Sequence, residues 1–489
     1  MFNSFRRAGS RFGTRSLATK PSEYGQPTTI SHPHLVQRND LTPGIPISEY
    51  EQRRRKLMDL LPDGSVAVAV SAPIKYMSAN IFYKYRQASD FWYLTGFEEP
   101  DSAVVLEKNS SQKGYKMTLF SSGRDLAKEK WDGARTSLAL SKDLFHADDT
   151  MLIDKFSSYL KSLLPKSSHV YVDLPNVTHN TSRKKSKSLL RYLTGTPATE
   201  HEDIFESLSG SSRRPLAAQL GKLRAIKSKA EQQIMRAAAD ISGRAHAKTM
   251  RFAEPGKSEG ALAAHFEYMC ALAGSQRPAY VPVVASGPNA LILHYTANNQ
   301  IITEDELVLI DAGCEYNGYA SDITRTFPAC GTFSAPQRDL YSAVLSAQKQ
   351  LIGLCSAQHG YSLQELHRKS CTLLKSELNQ IGFNLGNEGD LERVLYPHYL
   401  SHPIGIDLHE SSHMDRSAPL QDGMVITIEP GIYVPPTANF PKHFHNMGIR
   451  IEDEVLVGAK NATILSVSAP KEIADIEGAC QGLLGLEPY

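Results

Sequence analysis

The sequence predicts a protein of mixed helix and strand content, in which a smaller α/β domain precedes a larger α+β domain. A length of 489 residues allows about two or three domains of ordinary size. Before residue 206, short apolar segments alternate with polar helical stretches, which is typical of an α/β domain. After residue 222, long amphipathic helices are segregated from strands with hairpin character, which indicates an α+β domain.

The composition excludes several classes of protein. The formal net charge of +1 gives no global basic field, so no nucleic-acid partner is expected. No apolar run reaches the length of about 18 residues that a transmembrane helix needs, so stable membrane insertion is not expected. The six cysteines form no Cys-x-x-Cys pair, which argues against a disulfide framework and a thiolate zinc site. Free thiols are therefore predicted.

Residues 1–19 have the composition of a mitochondrial transit peptide. The segment is rich in arginine, contains serine, and no acidic residue precedes Glu23. On a helical wheel, three phenylalanines fall on one side and three arginines on the other. These residues are Phe2, Phe5 and Phe12, and Arg7, Arg11 and Arg15. The alternative is a disordered basic tail; in either case the segment is excluded from the fold.

The first domain is predicted over residues 45–206, after a linker of Pro, Thr, Ser and His over residues 20–44. Ser48-x-x-Glu51 has the pattern of a capping box, which predicts a helix running to Leu61. Strand-like segments follow, with the sequences VAVAV, FWYLTGF, AVVLE, KMTLF and VYVDL. The basic run RKKSKS (183–188) indicates a solvated loop, with a nuclear address and a minor nuclear pool as the alternative.

The second domain is predicted over residues 222–475, after a linker over residues 207–221. Ser228-x-x-Glu231 and Ser362-x-x-Glu365 predict two capped helices, and a third helix is expected around residues 258–273. The strand candidates are VPVVAS, LVLIDAG, the arm ending in Thr326, MVITIEP and IRIEDEVLV.

One hairpin carries a carboxylate on each arm. In LVLIDAGCEYNGYASDITR (307–325), Asn317-Gly318 predicts a type I′ turn that pairs Tyr316 with Tyr319 and places Asp311 opposite Thr324. Asp322 is then a diagonal neighbour of Asp311 on the same face. Two carboxylates on one buried face repel each other, so a positive charge is expected between them. The alternative is a solvated hairpin with two surface acids.

Three further stretches place acids and histidines near the ends of strands. They are YPHYLSHPIGIDLHE (396–410) with His398, His402 and His409; MVITIEPGIY (424–433) with Glu429; and GIRIEDEVLV (448–457), where Arg450 and Glu452 are expected on one strand face. Singly, each has a structural explanation, such as a turn residue or a surface ion pair. Together with Asp311 and Asp322 of the hairpin, Glu429, Glu452 and one histidine give four carboxylates and one imidazole, whose charge two divalent cations balance. Manganese suits such donors, with zinc, cobalt or iron as other occupants.

The order Asp311, Asp322, His402, Glu429, Glu452 resembles the ligand set of the pita-bread metallopeptidases, which include methionine aminopeptidase, prolidase and aminopeptidase P. YRQASDFWYLTGFEEPDS (85–102) is similar to the N-terminal domain of the aminopeptidase P branch, a domain of the creatinase/aminopeptidase P type that methionine aminopeptidases lack. The resemblance implies a pita-bread catalytic domain over residues 222–475 and two divalent ions, with Mn²⁺ expected.

The same resemblance implies roles for the other residues of the motifs. Glu429 would shuttle a proton from water to the departing amine. Three histidines would line the active site: His294 would contact the substrate or the tetrahedral intermediate, and His409 would donate to the oxyanion or the leaving amine. Tyr433 and Arg450 would lie near the metals, where Arg450 balances charge and orients a ligand. The histidines are His294, His398 and His409. Family members are often dimers, so a homodimer is expected.

The resemblance implies removal of one N-terminal residue from a peptide or protein. Aminopeptidase P enzymes cut before proline, whereas some mitochondrial relatives remove one bulky residue after the presequence has been cleaved. We favour the second activity, in the mitochondrial matrix or at the inner membrane. A first cut after Ser16 would expose Leu17, and removing Leu17 would leave Ala18, which is the pattern this activity would act on. A proline-directed aminopeptidase and a non-catalytic peptide-binding protein are the alternatives, with prolidase a weaker one.

Overall fold

A computed structural model of the chain describes residues 22–173, 213–386, 389–410, 413–485 and 487. Its backbone separates into two compact units, Met1–Arg213 and Arg214–Tyr489. The predicted transit peptide and the basic run 183–188 lie outside the described residues. Among those described, no helix combines the length and apolar character needed to cross a membrane. The six cysteines are free thiols.

The described part of the first unit contains five α-helices and a mixed sheet. The helices are α1 (Ile47–Leu60), α2 (Ser89–Thr95), α3 (Leu126–Asp132), α4 (Leu138–Leu144) and α5 (Phe156–Leu163), with 3₁₀ turns at Ile153–Lys155 and Leu164–Lys166. The strands are β1 (Asp40–Thr42), β2 (Ile45–Pro46), β3 (Ser65–Val70), β4 (Tyr76–Ser78), β5 (Ile81–Phe82), β6 (Ala103–Lys108), β7 (Tyr115–Ser121), β8 (Asp149–Leu152), β9 (His169–Val172) and β10 (Arg213–Arg214).

The main sheet of this unit has the strand order β10-β9-β3-β6-β7-β8. Strand β3 pairs antiparallel with β6 and parallel with β9, while β7 pairs antiparallel with β6 and parallel with β8. Valines from β3, β6 and β9 pack on α5 in one apolar cluster. The continuous apolar runs of these strands fit a sheet that is buried, as the sequence predicts for VAVAV and AVVLE.

Two local predictions for the first unit are wrong. FWYLTGF is not a strand, because Ser89–Thr95 form α2, which ends at Gly96 in the left-handed conformation (φ 67°). A short apolar run fits a buried helix as well as a strand, and all residues from Phe91 to Thr95 are buried. The helix expected from Ser48 begins instead at Ile47, after Pro46 at the N-cap. Glu49 pairs with Arg53 one turn later, at 2.6 Å.

The segment expected as a linker over residues 20–44 is packed into the first unit where it is described. Val36 and Leu41 are buried, and Gln26 is buried as well. The Gln26 side chain donates a hydrogen bond to the carbonyl of Gly96 and accepts one from the backbone N–H of Glu98. Its amide thus satisfies backbone groups at the end of α2, which the composition of the segment does not reveal.

The second unit combines long helices with small antiparallel sheets. Its α-helices are α6 (Ala217–Ala225), α7 (Lys229–Phe252), α8 (Glu259–Leu272), α9 (Ala335–Gly353), α10 (Leu363–Gln380) and α11 (Ile473–Cys480), with 3₁₀ turns at Gly287–Leu291, Ala357–His359 and Lys442–Phe444 and a π-turn at Leu391–Leu395. The strands are β11 (Arg277–Pro278), β12 (Val283–Ser286), β13 (Leu307–Asp311), β14 (Cys314–Tyr316), β15 (Tyr319–Ala320), β16 (Thr324–Pro328), β17 (Val425–Ile428), β18 (Gly431–Val434), β19 (Met447–Arg450), β20 (Asp453–Leu456) and β21 (Thr463–Ile464).

The strands of this unit form small sheets in the orders β12-β13-β16, β11-β14-β15, β17-β20-β21 and β18-β19. The predicted capping boxes at Ser228 and Ser362 both form, with reciprocal hydrogen bonds to Glu231 and Glu365. Helices α7, α8, α9 and α10 supply apolar side chains to one large core that also holds β13 and β19. The segregation of helices from antiparallel strands confirms the predicted α+β class.

Candidate metal centre

The five predicted ligand residues lie in the wall of one cavity of about 710 Å³ in the second unit. Each sits at or beside the end of a strand. Asp311 ends β13, Asp322 precedes β16, and Glu429 follows β17. His402 precedes the bridge between Pro403 and Ile426, and Glu452 lies between β19 and β20. Strand ends thus bring carboxylates from distant parts of the chain together.

The hairpin that carries the two aspartates forms as the turn chemistry predicts. Tyr316 pairs with Tyr319, and the turn residues Asn317 and Gly318 both have positive φ, at 48° and 84°. Asp311 pairs with Thr324. Both positive φ values match a type I′ turn, whose register agrees with the pairing of Asp311 with Thr324 predicted from the sequence.

Tyr280 is a member of the site that the sequence analysis missed. Its hydroxyl lies 2.5 Å from Oδ1 of Asp322 and is also within hydrogen-bonding reach of Asp311. A single hydroxyl proton serves one carboxylate at a time, so Tyr280 relieves only part of the repulsion between them. Nothing in the pattern RPAYVPVVAS distinguishes this tyrosine from a core residue.

His402 presents one ring nitrogen to the acids. Its Nδ1 donates to the carbonyl of Pro403 at 3.0 Å, and its Nε2 lies 3.3 Å from Asp322 and 3.6 Å from Glu429. Burial lowers the pKa of His402, but the hydrogen bond to Asp322 and the charge of Glu429 outweigh burial and raise the pKa to about 9. The hydrogen bond from Nδ1 to the carbonyl of Pro403 fixes the orientation of the His402 ring. Metal-binding histidines commonly have such a partner on the nitrogen that does not face the metal.

Glu452 has one satisfied and one unsatisfied oxygen. Its Oε2 accepts a hydrogen bond from the hydroxyl of Thr324 at 2.7 Å. Its Oε1 is buried and has no hydrogen-bond partner among the described residues. Burial, then the charges of Asp322 and Glu429, raise the pKa of Glu452 well above its ordinary value. A buried carboxylate oxygen of this kind requires a cation or a proton.

The charges of the site are only partly balanced by protein groups. Arg450 lies 2.6 Å from Asp311, and although burial opposes it, Arg450 lowers the pKa of Asp311. Burial raises the pKa of Glu429 to about 7, with His402 opposing and Asp322 adding to the rise. The unpartnered oxygen of Glu452 and the excess of carboxylates fit divalent cations, which prefer these donors. One ligand atom each from Asp322, His402 and Glu452 lie within 4.8 Å of one another.

A chain of hydrogen bonds runs behind the acids. Arg450 Nη1 donates to the hydroxyl of Tyr433 at 2.7 Å, and that hydroxyl lies 3.0 Å from Nε2 of His398. Nδ1 of His398 donates to the carbonyl of Tyr399, so its Nε2 accepts from Tyr433. Burial, helped by Arg450, lowers the pKa of His398 to about 3, which keeps the ring neutral. His398 lines the cavity, whereas Tyr433 is buried behind it.

His294 and His409 both line the cavity and are both exposed. The ring of His409 packs against that of His402, with centroids 4.3 Å apart at an angle of 56°. Burial, and then the charge of His402, lower the pKa of His409 to about 4. His409 is therefore a neutral ring close to the cluster, with a nitrogen free to exchange hydrogen bonds with a bound molecule.

One expectation about the site is wrong in its local geometry. Arg450 and Glu452 do not lie on one continuous strand, because β19 ends at Arg450 and β20 begins at Asp453, although both side chains line the cavity. The backbone N–H of Glu452 donates instead to the carbonyl of Thr324 at 3.1 Å. This break turns Glu452 towards the other acids.

Thr324 and Thr427 were not among the predicted site residues. Thr427 donates to Glu429 at 3.2 Å and its hydroxyl also accepts from the backbone N–H of His402 at 3.1 Å. Thr427 precedes Glu429 by two positions, so alternation along the strand could have placed it on the same face. Both threonines orient carboxylates of the cluster through hydrogen bonds.

Comparisons with known proteins agree with the two-unit organisation. Residues 50–171 match the model of the aminopeptidase P N-terminal domain, and residues 233–459 match that of metallopeptidase family M24. The mitochondrial intermediate cleaving peptidase 55 of Arabidopsis thaliana is 39% identical over 93% of this chain and 87% of its own length. Xaa-Pro aminopeptidase 3 of Rattus norvegicus is 38% identical over 94% of this chain and 91% of its own.

A solved structure extends the similarity to three dimensions. The crystal structure of Icp55 from Saccharomyces cerevisiae, lacking its N-terminal 58 residues, matches this chain with a TM-score of 0.79 and 37% sequence identity. The match covers 91% of this chain and 99% of that one.

Proposed function

The chain belongs to metallopeptidase family M24, and we propose that it removes a single bulky residue from the N-termini of mitochondrial proteins whose presequence has already been cleaved. It is a metalloaminopeptidase, and its substrates are peptides or protein N-termini. The observation that carries the proposal is the convergence of four carboxylates and one imidazole on one cavity, where a buried oxygen of Glu452 finds no hydrogen-bond partner among the residues that the structure describes.

The metal ligands in this proposal are Asp311, Asp322, His402, Glu429 and Glu452. The family implies divalent metal ions, and we propose a pair of Mn²⁺ ions, since carboxylates with one imidazole suit that ion. Bound there, such ions would polarise the scissile carbonyl and make water a better nucleophile at neutral pH.

The protein's own groups would then move the proton and hold the substrate. Glu429, which lines the cavity and is held by a hydrogen bond from Thr427, would take a proton from water and give it to the departing amine. The neutral His409 and the exposed His294 would donate hydrogen bonds to the reacting carbonyl or the leaving amine. His398, oriented through Tyr433 and Arg450, lines the same cavity and would also contact the peptide.

The cavity wall favours a bulky apolar first residue. Besides the acids and histidines, aliphatic side chains line it, among them Val281, Val283, Leu293, Leu408 and Met414. Burying a large apolar side chain against such a wall stabilises the complex by about 1.5–3 kcal/mol relative to leaving it in water. The second candidate is cleavage before proline, which the name of the rat relative supports.

The location proposed for the protein is the mitochondrion, in the matrix or at the inner membrane, with residues 1–19 as a transit peptide. The relative in Arabidopsis thaliana is a mitochondrial protein by its name, and the composition of residues 1–19 supports the same compartment. No observation supports a nuclear pool. A homodimer is proposed from the behaviour of the resembling enzymes.

A peptide panel tests the proposed function. Peptides starting Leu-Ala, Tyr-Ser and Phe-Ala are compared with peptides that carry proline in second position, with and without manganese. We expect manganese-dependent release of the first residue from the bulky-residue peptides by wild type and a loss of orders of magnitude in Asp322→Ala. Strict dependence on proline would favour the second candidate. Absence of bound metal and of any activity after manganese addition would favour a peptide-binding protein.

A further inference from the structure

A two-point ion pair joins helix α6 to the segment 403–410, which follows His402 and contains His409. Nε of Arg224 lies 2.6 Å from Oε1 of Glu410, and Nη2 lies 2.9 Å from Oε2. Both residues are buried, with 5% of Arg224 and 3% of Glu410 exposed. Such a two-point contact fixes the orientation of a carboxylate as well as its position.

The same arginine also closes the loop. Nη2 of Arg224 lies 2.6 Å from Asp407, whose backbone N–H donates to Oε2 of Glu410 at 3.0 Å. The backbone N–H of Glu410 donates to the carbonyl of Pro403 at 2.9 Å. Glu410 therefore joins both ends of the segment 403–410, and Arg224 is the cation that contacts both of its carboxylate oxygens.

The backbone at Gly405 lies against the carboxylate of Glu410. A Cβ atom added at Gly405 would lie 2.8 Å from Oε2 of Glu410 and 3.1 Å from Cε of Lys227. Lys227 is itself buried. The loop backbone thus approaches the ion pair closely, and position 405 needs glycine for that approach.

We propose that Arg224 is a positioning residue for the peptidase reaction, which sets the place of His409 by holding the neighbouring Glu410. His409 precedes Glu410 directly, and its ring packs on that of His402, with centroids 4.3 Å apart. Because Glu410 is fixed at both oxygens, the direction in which the chain presents His409 to the cavity is fixed as well. The inference rests on the proposed function and assigns a role to a residue on a helix outside the cavity wall.

The test compares Arg224→Lys, His409→Ala and the double variant. A lysine keeps the charge but offers one ammonium where the guanidinium offers a fork, so His409 should lose its fixed place. We expect kcat to fall about tenfold or more in Arg224→Lys, with KM and manganese content close to wild type. If Arg224 acts through His409, the double variant should be no slower than His409→Ala alone. Losses that multiply in the double variant would overturn the proposal.

A matched control and a second variant keep the test decisive. Arg244→Lys changes the same residue type in an exposed pair with Asp240 and should leave kcat unchanged. If Arg224→Lys does not fold, Gly405→Ala disturbs the same contact without removing a charge and should show the same dependence on His409.

Hydrogen exchange of residues 403–410 measures the order of this segment without any substrate. Faster exchange there in Arg224→Lys, with unchanged exchange in α7, is expected; unchanged exchange in the loop would overturn the proposal. If the wild type has no aminopeptidase activity, the proposed function is refuted. The hydrogen-exchange rates of residues 403–410 would then still show whether Arg224 holds this segment in place.

Discussion

The hydroxyl of Thr324 donates to Oε2 of Glu452 at 2.7 Å, whereas Oε1 of the same carboxylate is buried and has no hydrogen-bond partner in the described part of the chain. The two residues lie 128 positions apart, yet the backbone N–H of Glu452 also donates to the carbonyl of Thr324. This double contact makes Thr324 the residue that orients Glu452.

Replacing Thr324 by valine should weaken metal binding while keeping the fold. Valine has nearly the same shape but donates no hydrogen bond, so Glu452 loses its fixed orientation. Because removing such a supporting contact costs about 10–100-fold in metal affinity, the Kd for manganese should rise by about that factor. Isothermal titration of the metal-free protein measures it. Thr463→Val, at an exposed strand position, is the control and should bind manganese as wild type does; equal Kd values for the two variants would contradict the assignment.

Removal of metal should lower the stability of the wild type and have little effect on Asp322→Ala. At about 100 times its Kd, a ligand stabilises the native state by about 2.7 kcal/mol, which for a domain of this size is a rise in Tm of about 5–10 °C. Thermal unfolding in manganese and in chelator measures this rise. We expect most of it to vanish in Asp322→Ala, since the variant lacks one carboxylate of the set. A full rise in that variant would place the metal elsewhere.

The buried His246 should make stability depend on pH. Its Nε2 lies 2.9 Å from the carbonyl of Ala312, and burial lowers its pKa from 6.5 to about 4. Between these values the unfolded chain binds more protons than the folded one, so stability falls as pH drops from about 6.5 to about 4, by about 3 kcal/mol in all.

His246→Gln should flatten this part of the profile, because an amide can keep donating to Ala312 without titrating. Urea unfolding at a series of pH values in chelator provides the measurement. His443→Gln, at an exposed position, is the control and should follow wild type. Parallel profiles for wild type and His246→Gln would show that the histidine has no part in the pH dependence.

Gly431→Ala should reduce activity far more than stability. A Cβ atom at this position would lie 2.7 Å from the hydroxyl of Tyr433 and 3.1 Å from Nε2 of His398, so it would push apart the hydrogen bond that orients His398. We expect kcat/KM to fall about tenfold or more, since a misplaced contact in an active site costs up to about 10²-fold. Gly353→Ala, with no atom within 4 Å of the added Cβ, is the control and should leave kcat/KM unchanged. Equal kcat/KM in both variants would exclude a role for the hydrogen bond.

The parts of the fold that depend on local chemistry could be predicted from the sequence. The turn at Asn317-Gly318 and the capping boxes at Ser228 and Ser362 form because each involves residues within a few positions of one another. FWYLTGF was predicted wrongly because an apolar run of that length suits two kinds of buried element, and only the packing around α2 decides between them.

The parts of the site that depend on distant contacts could not be predicted. The break between Arg450 and Asp453 arises because the backbone of Glu452 pairs with Thr324 and because Arg325, buried at 0% exposure, binds both the carbonyl of Glu452 and the side chain of Asp453. The pattern of apolar and polar residues in IRIEDEVLV does not indicate that Thr324 and Arg325 are partners of this segment. Tyr280 was missed for the same reason, since its role appears only once two aspartates have been placed around it.

The four carboxylates and one imidazole proposed as metal ligands are spread over about 140 positions, and this separation also sets the order in which the chain folds and binds metal. An extended chain holds no two of these segments together, so it cannot capture cations with useful strength before its second unit has assembled. A newly synthesised chain is therefore inactive until its second unit has folded. It then binds the ions that are present in the compartment where folding is completed.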